Sequence, residues 1–196
     1  MRDKVGDKKI VLNIIVLIVL MMVLTIGEVK LNSKLKLTAF SENNINELKQ
    51  YKNSNGKLSY LLPKNWITDE EKFNGGEITY HNEFRSPDRK IYGYVQLWNK
   101  KGDLKDFLYN SKEISAKQNL INNYKLEKFI FNNKKAYKLI YDMQISGNNI
   151  FRVEEYFIDT GDQFVRVSFS VNKQNYRKEM ERIFKTIVDT IKFNEK

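Results

Sequence analysis

Four short apolar segments follow one another between residues 124 and 171, and the loops that join them allow only an antiparallel sheet. The segments cover about 124–131, 135–145, 150–158 and 163–171. Adjacent parallel strands need a crossover of a dozen or more residues, whereas antiparallel strands close with a short hairpin. This part of the chain therefore predicts a series of antiparallel hairpins.

Three further strands and two helices are predicted around these hairpins. The strands lie at about 57–62, 77–84 and 91–98, and helical patterns cover about 103–118 and 174–192. In the last pattern, apolar residues recur every three or four positions and form one stripe that can pack on a sheet. The stripe consists of Tyr176, Met180, Ile183, Phe184, Ile187, Val188 and Ile191. The order of elements predicts an α+β domain, with helices covering an antiparallel sheet.

The hairpin around "FIDTGDQFVRV" allows a register to be predicted. A three-residue loop, 159–161, would place its glycine where a left-handed backbone is needed. Glu154 would then face Arg166 and form a cross-strand ion pair, with Arg152 on the same face. We therefore expect Arg152, Glu154 and Arg166 to form a candidate binding face. The same "DTG" triplet occurs in aspartic proteases, but their chemistry needs two carboxylates that share a proton, and a turn explains it here.

The N-terminal part contains an uncharged apolar run, 10–27. As a helix, 18 residues reach about 27 Å, close to the thickness of the hydrocarbon layer. Four basic residues precede the run, so the positive-inside rule places 1–9 in the cytoplasm and the rest of the chain outside. A cleaved signal peptide is the alternative, but the run is long and lacks a good small-residue cleavage site. The pattern favours an uncleaved single-pass anchor in the cell membrane.

Residues 28–56 are polar and rich in Asn and Lys, which predicts a stalk between the anchor and an extracytoplasmic domain, 57–196. Ser41 could cap a short helix that runs to Tyr51. The Asn55-Gly56 pair marks a turn before the domain.

Composition excludes several kinds of chemistry. The chain has no cysteine, so it cannot form disulfides, thiolate metal sites, a Cys nucleophile or a lipidated Cys. Its single histidine, His81, excludes multi-His metal sites, and His81 with Glu83 on a solvated strand face would be a weak pair of ligands. No phosphate-binding loop or nucleophile elbow is present. We therefore expect no cofactor, no metal and no enzyme activity.

The net charge of +10 is carried partly by basic residues in loops. Those singled out as candidates are Arg85, Arg89, Lys90, Lys134 and Lys135. An exported basic domain could bind anionic wall polymer or lipid headgroups. Nucleic acid is not expected as a partner, because export separates the domain from it.

A corner at residues 63–66 closes the first predicted strand of the domain. Pro63 lacks the amide that a strand ladder needs, Asn65 tolerates a left-handed backbone, and Trp66 can then enter a pocket beside the sheet. This Pro-Lys-Asn-Trp sequence resembles the Pro-x-Gly-Trp opening of PsbP-like (Mog1/PsbP-type) domains, with Asn in place of Gly. "EEYFIDTGDQFVRVSFSV" and "TIVDTIKF" are similar to the last hairpin and closing helix of that family.

The resemblance covers about 57–193 and implies an antiparallel sheet of about seven strands between helices. It also implies a mostly non-catalytic function. Some members dock on photosynthetic complexes, some bind a small GTPase, and others are bacterial envelope lipoproteins. We therefore expect a membrane-anchored extracytoplasmic binding module that docks to an envelope protein or holds a small ligand against its sheet. The alternative is an electrostatic binder of anionic wall polymer or lipid headgroups.

Overall fold

The chain divides into two units, residues 1–44 and 45–196. The structure is a computed structural model. It describes residues 13–28, 30–31, 40, 45–73, 76–117, 121–147 and 149–194.

In the first unit, residues 13–28 form helix α1, and the large apolar side chains along it are exposed. Of the residues that the structure describes, none belongs to a helix with both the length and the apolar character needed to cross a membrane. Residues 10–12 of the predicted anchor, and all of 1–9, lie outside the described residues. The membrane-spanning helix therefore stays a prediction.

The second unit contains a large sheet of seven strands. These are β3 (Ile67–Glu71), β4 (Ile78–Arg85), β5 (Ile91–Asn99), β6 (Ile121–Phe131), β7 (Lys134–Ser146), β8 (Asn149–Asp159) and β9 (Gln163–Asn172). Their order across the sheet is β3-β4-β5-β9-β8-β7-β6, and every neighbouring pair is antiparallel. The antiparallel pairing that the short loops predicted is confirmed. The strand predicted at 57–62 does not belong to this sheet, whose seventh strand is β3 instead. At the β6–β7 turn, Asn132 and Asn133 both have a positive φ, as a type I′ hairpin turn requires.

A smaller three-stranded sheet contains β1 (Leu48–Lys52), β2 (Leu58–Pro63) and β10 (Lys192–Phe193), in the order β1-β2-β10. The helix predicted to run from Ser41 to Tyr51 is wrong for residues 48–51, because this segment pairs with β2 instead. Tyr51 stacks on Tyr60 of β2 with ring centroids 5.8 Å apart. These tertiary contacts outweigh a weak local helix preference. The compact unit therefore begins at Ile45, earlier than the predicted boundary at Lys57.

Two helices lie on opposite faces of the large sheet. Helix α3 (Met180–Asp189) and strand β2 cover the back face, where Phe184 of α3 stacks on Phe169 of β9 at 4.3 Å. The helix is shorter than the predicted 174–192, so Tyr176, which is partly buried, and Ile191 lie outside it. The other residues of the predicted stripe are buried in α3: Met180, Ile183, Phe184, Ile187 and Val188. Helix α2 (Leu104–Lys117) covers part of the front face. Its residues Leu104 and Leu108 belong to one apolar cluster with Tyr137, Leu139, Phe157 and Phe164 of the sheet.

The register of the β8–β9 hairpin differs from the prediction. Ile158 pairs with Val165 and Glu154 pairs with Phe169, so the predicted pairing of Glu154 with Arg166 is wrong. The turn is longer than expected, with the Thr160 amide donating to the carbonyl of Gln163 at 2.9 Å. The apolar pattern could not select the register, because both faces of this hairpin are covered and six successive residues of β8 are buried.

The corner at residues 63–66 has a structural role. The Trp66 amide donates to the carbonyl of Pro63 at 3.0 Å. The buried Trp66 ring stacks on the ring of Phe84, on the back face, with the ring centroids 5.3 Å apart. Asn65 is not among the described residues with a positive φ, so the turn does not use the left-handed backbone that we expected there.

Candidate binding cleft on the large sheet

Helix α2 leaves one end of the front face uncovered, and a cleft of about 590 Å³ lies there. It extends over strands β3, β4, β5 and β9. The lining residues are Ile67, Thr68, Asp69, Glu83, Phe84, Arg85, Tyr92, Gly93, Tyr94, Ser168 and Ser170. A volume of this size lies within the range of small-molecule binding sites. We call it the front-face cleft.

The floor of the front-face cleft combines aromatic and hydroxyl side chains. Tyr92 and Tyr94 alternate with Gly93 along β5, and Ser170 and Ser168 are their partners on β9. A Cβ atom at Gly93 would collide with the carbonyl oxygen of Ser168 and lie 2.5 Å from the Phe84 ring. Glycine therefore lets the Phe84 ring pack under the strand while the two tyrosines face the cleft.

Two carboxylates face each other across the rim of the cleft. Asp69 of β3 pairs directly with Glu83 of β4, and like charges in this position repel. Arg85 lies further along β4 and also lines the cleft. Within the described residues, neither Asp69 nor Arg85 has an ion-pair partner. The rim therefore offers unpaired charges of both signs, with acid in excess.

A chain of hydrogen bonds leads from the α2 side of the front face towards this rim. The Trp98 indole donates to Gln96 Oε1 at 2.8 Å, Gln96 Nε2 lies 2.8 Å from His81 Nδ1, and His81 Nε2 lies 3.3 Å from Glu83 Oε1. Because an indole only donates, Gln96 must present its oxygen to Trp98 and its NH₂ group to His81. Nδ1 is then the acceptor, and the imidazole proton is on Nε2, facing Glu83.

His81 itself is buried, although the alternation predicted a solvated histidine. Its exposed fraction is 4%, and the Phe73 and His81 rings pack edge to face with their centroids 4.9 Å apart. Ligand atoms of Glu71, His81 and Glu83 lie within 4.8 Å of one another. A metal on His81 Nε2 would need the proton on Nδ1, where it would point at the Gln96 NH₂ group. The hydrogen bonds therefore oppose a metal site on His81 Nε2.

A buried ion pair on the front face lies in contact with Tyr94 of the cleft. Arg166 Nη2 and Nε lie 2.6 and 3.2 Å from Glu155 Oε1, and the Tyr94 hydroxyl donates to the same oxygen at 3.1 Å. Glu155 is only 2% exposed. Burial alone would lower the pKa of Arg166, but the Glu155 carboxylate raises it above its ordinary value. Burial, followed by the charge of Glu155, raises the pKa of Tyr94.

The three residues of the predicted binding face do not lie together. With the observed register, Arg166 faces the front, whereas Arg152 and Glu154 face the back. Glu154 is 1% exposed and lies 2.8 Å from Lys138 Nζ, and Arg152 Nη1 lies 3.0 Å from Asp142. The carboxylates of Glu154 and Glu155 therefore point to opposite faces, as strand alternation predicts.

The basic loops also lie apart from one another. Arg85, Arg89 and Lys90 are at the β4–β5 hairpin, and Lys90 Nζ lies 3.1 Å from Asp88. Lys134 and Lys135 begin β7, at the opposite end of the strands. The candidate basic residues therefore form two separate groups.

Sequence reasoning missed Tyr92, Tyr94 and Glu155 as site residues. Polar residues at alternate positions of β5, Tyr94 and Gln96, could have indicated a partly open sheet face. The ion pair could not be found in this way, because it depends on the hairpin register.

Comparison with known proteins gives information on the fold. Neither a family model nor a curated protein matches the sequence. Cyanobacterial PsbP (CyanoP) from Synechocystis sp. PCC 6803 is similar in structure, with a TM-score of 0.58 and 16% identity over 75% of this chain and 92% of that one. LpqN of Mycobacterium tuberculosis, which is involved in cell envelope biogenesis, has a TM-score of 0.50 and 9% identity over 76% and 93% of the two chains.

A Pseudomonas aeruginosa protein, PA94, is also similar, with a TM-score of 0.50 and 14% identity over 77% of this chain and 100% of that one. The strand order, the antiparallel sheet and these similarities agree with the resemblance found in the sequence. This chain has a PsbP-like fold.

Proposed function

We propose that this protein is a membrane-anchored, extracytoplasmic, non-catalytic binding module whose partner occupies the front-face cleft. The cleft is the observation that carries the proposal. It has the volume of a ligand site, an aromatic floor, and charged side chains that are not used within the described part of the protein. Aromatic side chains supply large contact areas at low cost in conformational entropy, so they are frequent in binding sites.

The charges on the rim favour a partner that presents a basic group. The facing carboxylates of Asp69 and Glu83 repel each other, and a cation between them would relieve this repulsion. Tyr92 and Tyr94 could add contacts with the ring faces. A basic segment of an envelope protein, or a small cationic ligand, has this chemistry.

The non-catalytic assignment rests on the buried polar groups near the cleft. Glu155 is held by Arg166 and Tyr94, and His81 is held by Gln96 and Glu83. Both ring nitrogens of His81 and Oε1 of Glu155 are engaged by protein partners, which supports a structural role for these atoms.

The membrane anchor, 10–27, rests on its length and its lack of charge. The similarity in fold to LpqN, which is involved in cell envelope biogenesis, is compatible with a location in the envelope. The intact mass of the protein purified from membranes tests the anchor, because cleavage after residue 27 would shorten the chain. Protease added to intact cells should digest residues 57–196, whereas full protection of these residues would contradict the orientation.

A photo-crosslinking amino acid in place of Tyr92 tests the binding site in living cells. Tyr92 is 38% exposed on the floor of the cleft, and Ile130, which is 64% exposed on β6 at the far edge of the sheet, is the matched control position. We expect a specific adduct from position 92 and none from position 130, and its mass will distinguish a protein from a small ligand. Equal labelling from both positions, or no adduct at position 92, would refute the proposal.

The alternative function, binding to anionic polymer or lipid headgroups, has less support because the candidate basic residues form two groups at opposite ends of the strands. It predicts retention on anionic polymer that falls steeply as salt is added.

A further inference from the structure

A second cavity lies between α2 and the sheet, separate from the front-face cleft. Its volume is about 160 Å³, and it is lined by Phe107, Leu108, Ser111 and Lys112 of α2 together with residues of β6, β7, β8 and β9. A cavity of about 150 Å³ with apolar walls can hold one benzene molecule. The size of this cavity therefore suits a single six-membered ring.

One side of this α2 cavity is polar and incompletely satisfied. The hydroxyl of Tyr124 is buried and has no hydrogen-bond partner among the described residues. A buried hydroxyl without a partner is costly and is normally satisfied by water or by a ligand. Glu155 also lines the cavity, and its contacts with Arg166 and Tyr94 all involve Oε1. Within the described residues, Oε2 is free to accept a further hydrogen bond.

The buried charges at the cavity are balanced, because Glu155 and Arg166 form a pair at 2.6 Å. The other charged wall residue, Lys112, is exposed to solvent, with its Nζ 4.9 Å from the centroid of the Tyr124 ring. A charged ligand would therefore bring an uncompensated charge beside the buried pair. Most other wall residues are apolar, among them Leu139, Met143 and Phe157. The occupant should therefore be neutral and mainly apolar, with one polar group.

We propose that the α2 cavity binds a small, uncharged ring compound with a hydroxyl or amide group, which donates to Glu155 Oε2 and accepts from the Tyr124 hydroxyl. The compound belongs to the size class of phenol. This site goes beyond the function proposed above, because a partner in the front-face cleft does not require it to be occupied.

Methionine methyl groups provide a local readout in the full-length chain in nonionic detergent. Met143 lines the cavity, Met180 is buried under the back face, and Met21 and Met22 lie in α1. With ¹³C-labelled methionine methyls, phenol should shift the Met143 resonance in a saturable way and leave Met180 unchanged. Shifts at Met21 and Met22 report only partition of the probe into detergent.

Three probes of similar size test the predicted chemistry. Fluorobenzene lacks the hydroxyl and should bind about tenfold more weakly than phenol, as expected for the loss of a buried hydrogen bond. Benzoate is charged and should leave Met143 unshifted. Equal affinity for phenol and fluorobenzene, or saturable binding of benzoate, would overturn the proposal, as would the absence of a phenol-induced shift at millimolar concentrations.

Two variants locate the site. Tyr124→Phe removes only the unpartnered hydroxyl and should reduce the preference for phenol over fluorobenzene, whereas Tyr109→Phe, at an exposed position of α2, should not. Ser111→Leu should fill the cavity and abolish the Met143 shift while the near-UV circular dichroism is preserved. Unchanged phenol binding by folded Ser111→Leu, or an unchanged preference in Tyr124→Phe, would contradict the assignment.

Discussion

Replacement of Arg166 by methionine should be among the most destabilising changes on the front face. The guanidinium carbon of Arg166 lies 5.2 Å from the centroid of the Tyr94 ring and 5.5 Å from that of Phe157. Methionine removes the guanidinium but keeps an apolar side chain against these two rings. Glu155, at 2% exposure, would retain only the Tyr94 hydroxyl as a donor. Removing one member of a buried ion pair costs about 3–5 kcal/mol, because the remaining charge is left uncompensated. We expect the Arg166→Met variant to lose about this much stability.

A double variant distinguishes the destabilisation caused by an unpaired buried charge from the net contribution of the ion pair to stability. Glu155→Leu with Arg166→Met removes both charges, and replacing a buried pair by apolar residues is often neutral or stabilising. The double variant should therefore be more stable than Arg166→Met by about 3 kcal/mol. Lys101→Met disrupts an exposed ion pair, in which Lys101 Nζ lies 2.8 Å from Glu77, and should leave the unfolding midpoint unchanged.

Urea unfolding followed by tryptophan fluorescence measures these differences in the full-length chain in nonionic detergent. The chain has two tryptophans, Trp66 and Trp98, and both lie in the second unit, so the signal reports that unit. The reasoning fails if Arg166→Met lies within about 1 kcal/mol of the wild type, or if the double variant is as unstable as the two single variants combined.

Three other predictions concern the sheet and its back face. Gly93→Ala should lower the free energy of unfolding by about 3 kcal/mol, because its Cβ would collide with backbone of β9 and with a core ring; an unchanged urea midpoint would contradict this. Phe184→Ala should cost about 3–5 kcal/mol by removing the ring stacked on Phe169 at 4.3 Å, and a calorimetric Tm close to that of the wild type would show that the back face repacks. Burial opposes ionisation of Asp142, but hydrogen bonds from three donors hold its pKa below the ordinary value of 3.8. The Asp142 carboxylate therefore stabilises the folded state above about pH 4. This contribution to the free energy of unfolding is lost as the pH falls through the lower pKa of the folded state. The stability difference between wild type and Asp142→Asn should shrink as the pH falls below about 4, and a constant difference would refute this origin.

The antiparallel sheet and both domain helices could be predicted because local signals determine them. Short loops dictate antiparallel pairing, and the apolar stripe that includes Phe184 identifies the last helix. Strands β1 and β3 were missed because they lie at sheet edges, where few buried residues mark a strand. The β3 sequence, ITDEE, has no buried residue, and its acidic residues suggest a loop.

The candidate site could not be predicted, because it depends on contacts between strands that are distant in sequence. Strand alternation places Glu154 and Glu155 on opposite faces, but it does not decide which of them shares a face with Arg166. Both faces of the β8–β9 hairpin are covered, so an apolar residue fits on either one. The polar partners of His81 and Tyr94 follow from this register and from the position of β5 beside β9.

Strand β1 has a practical consequence for anyone preparing the second unit by itself. A fragment that begins at Lys57 would lack strand β1, which pairs with β2, and would also lack the Tyr51 ring that stacks on Tyr60. The bare edge of β2 could then recruit a second molecule, so such a fragment should aggregate during purification. Cloning boundaries placed before Ile45, which is buried, keep this edge protected.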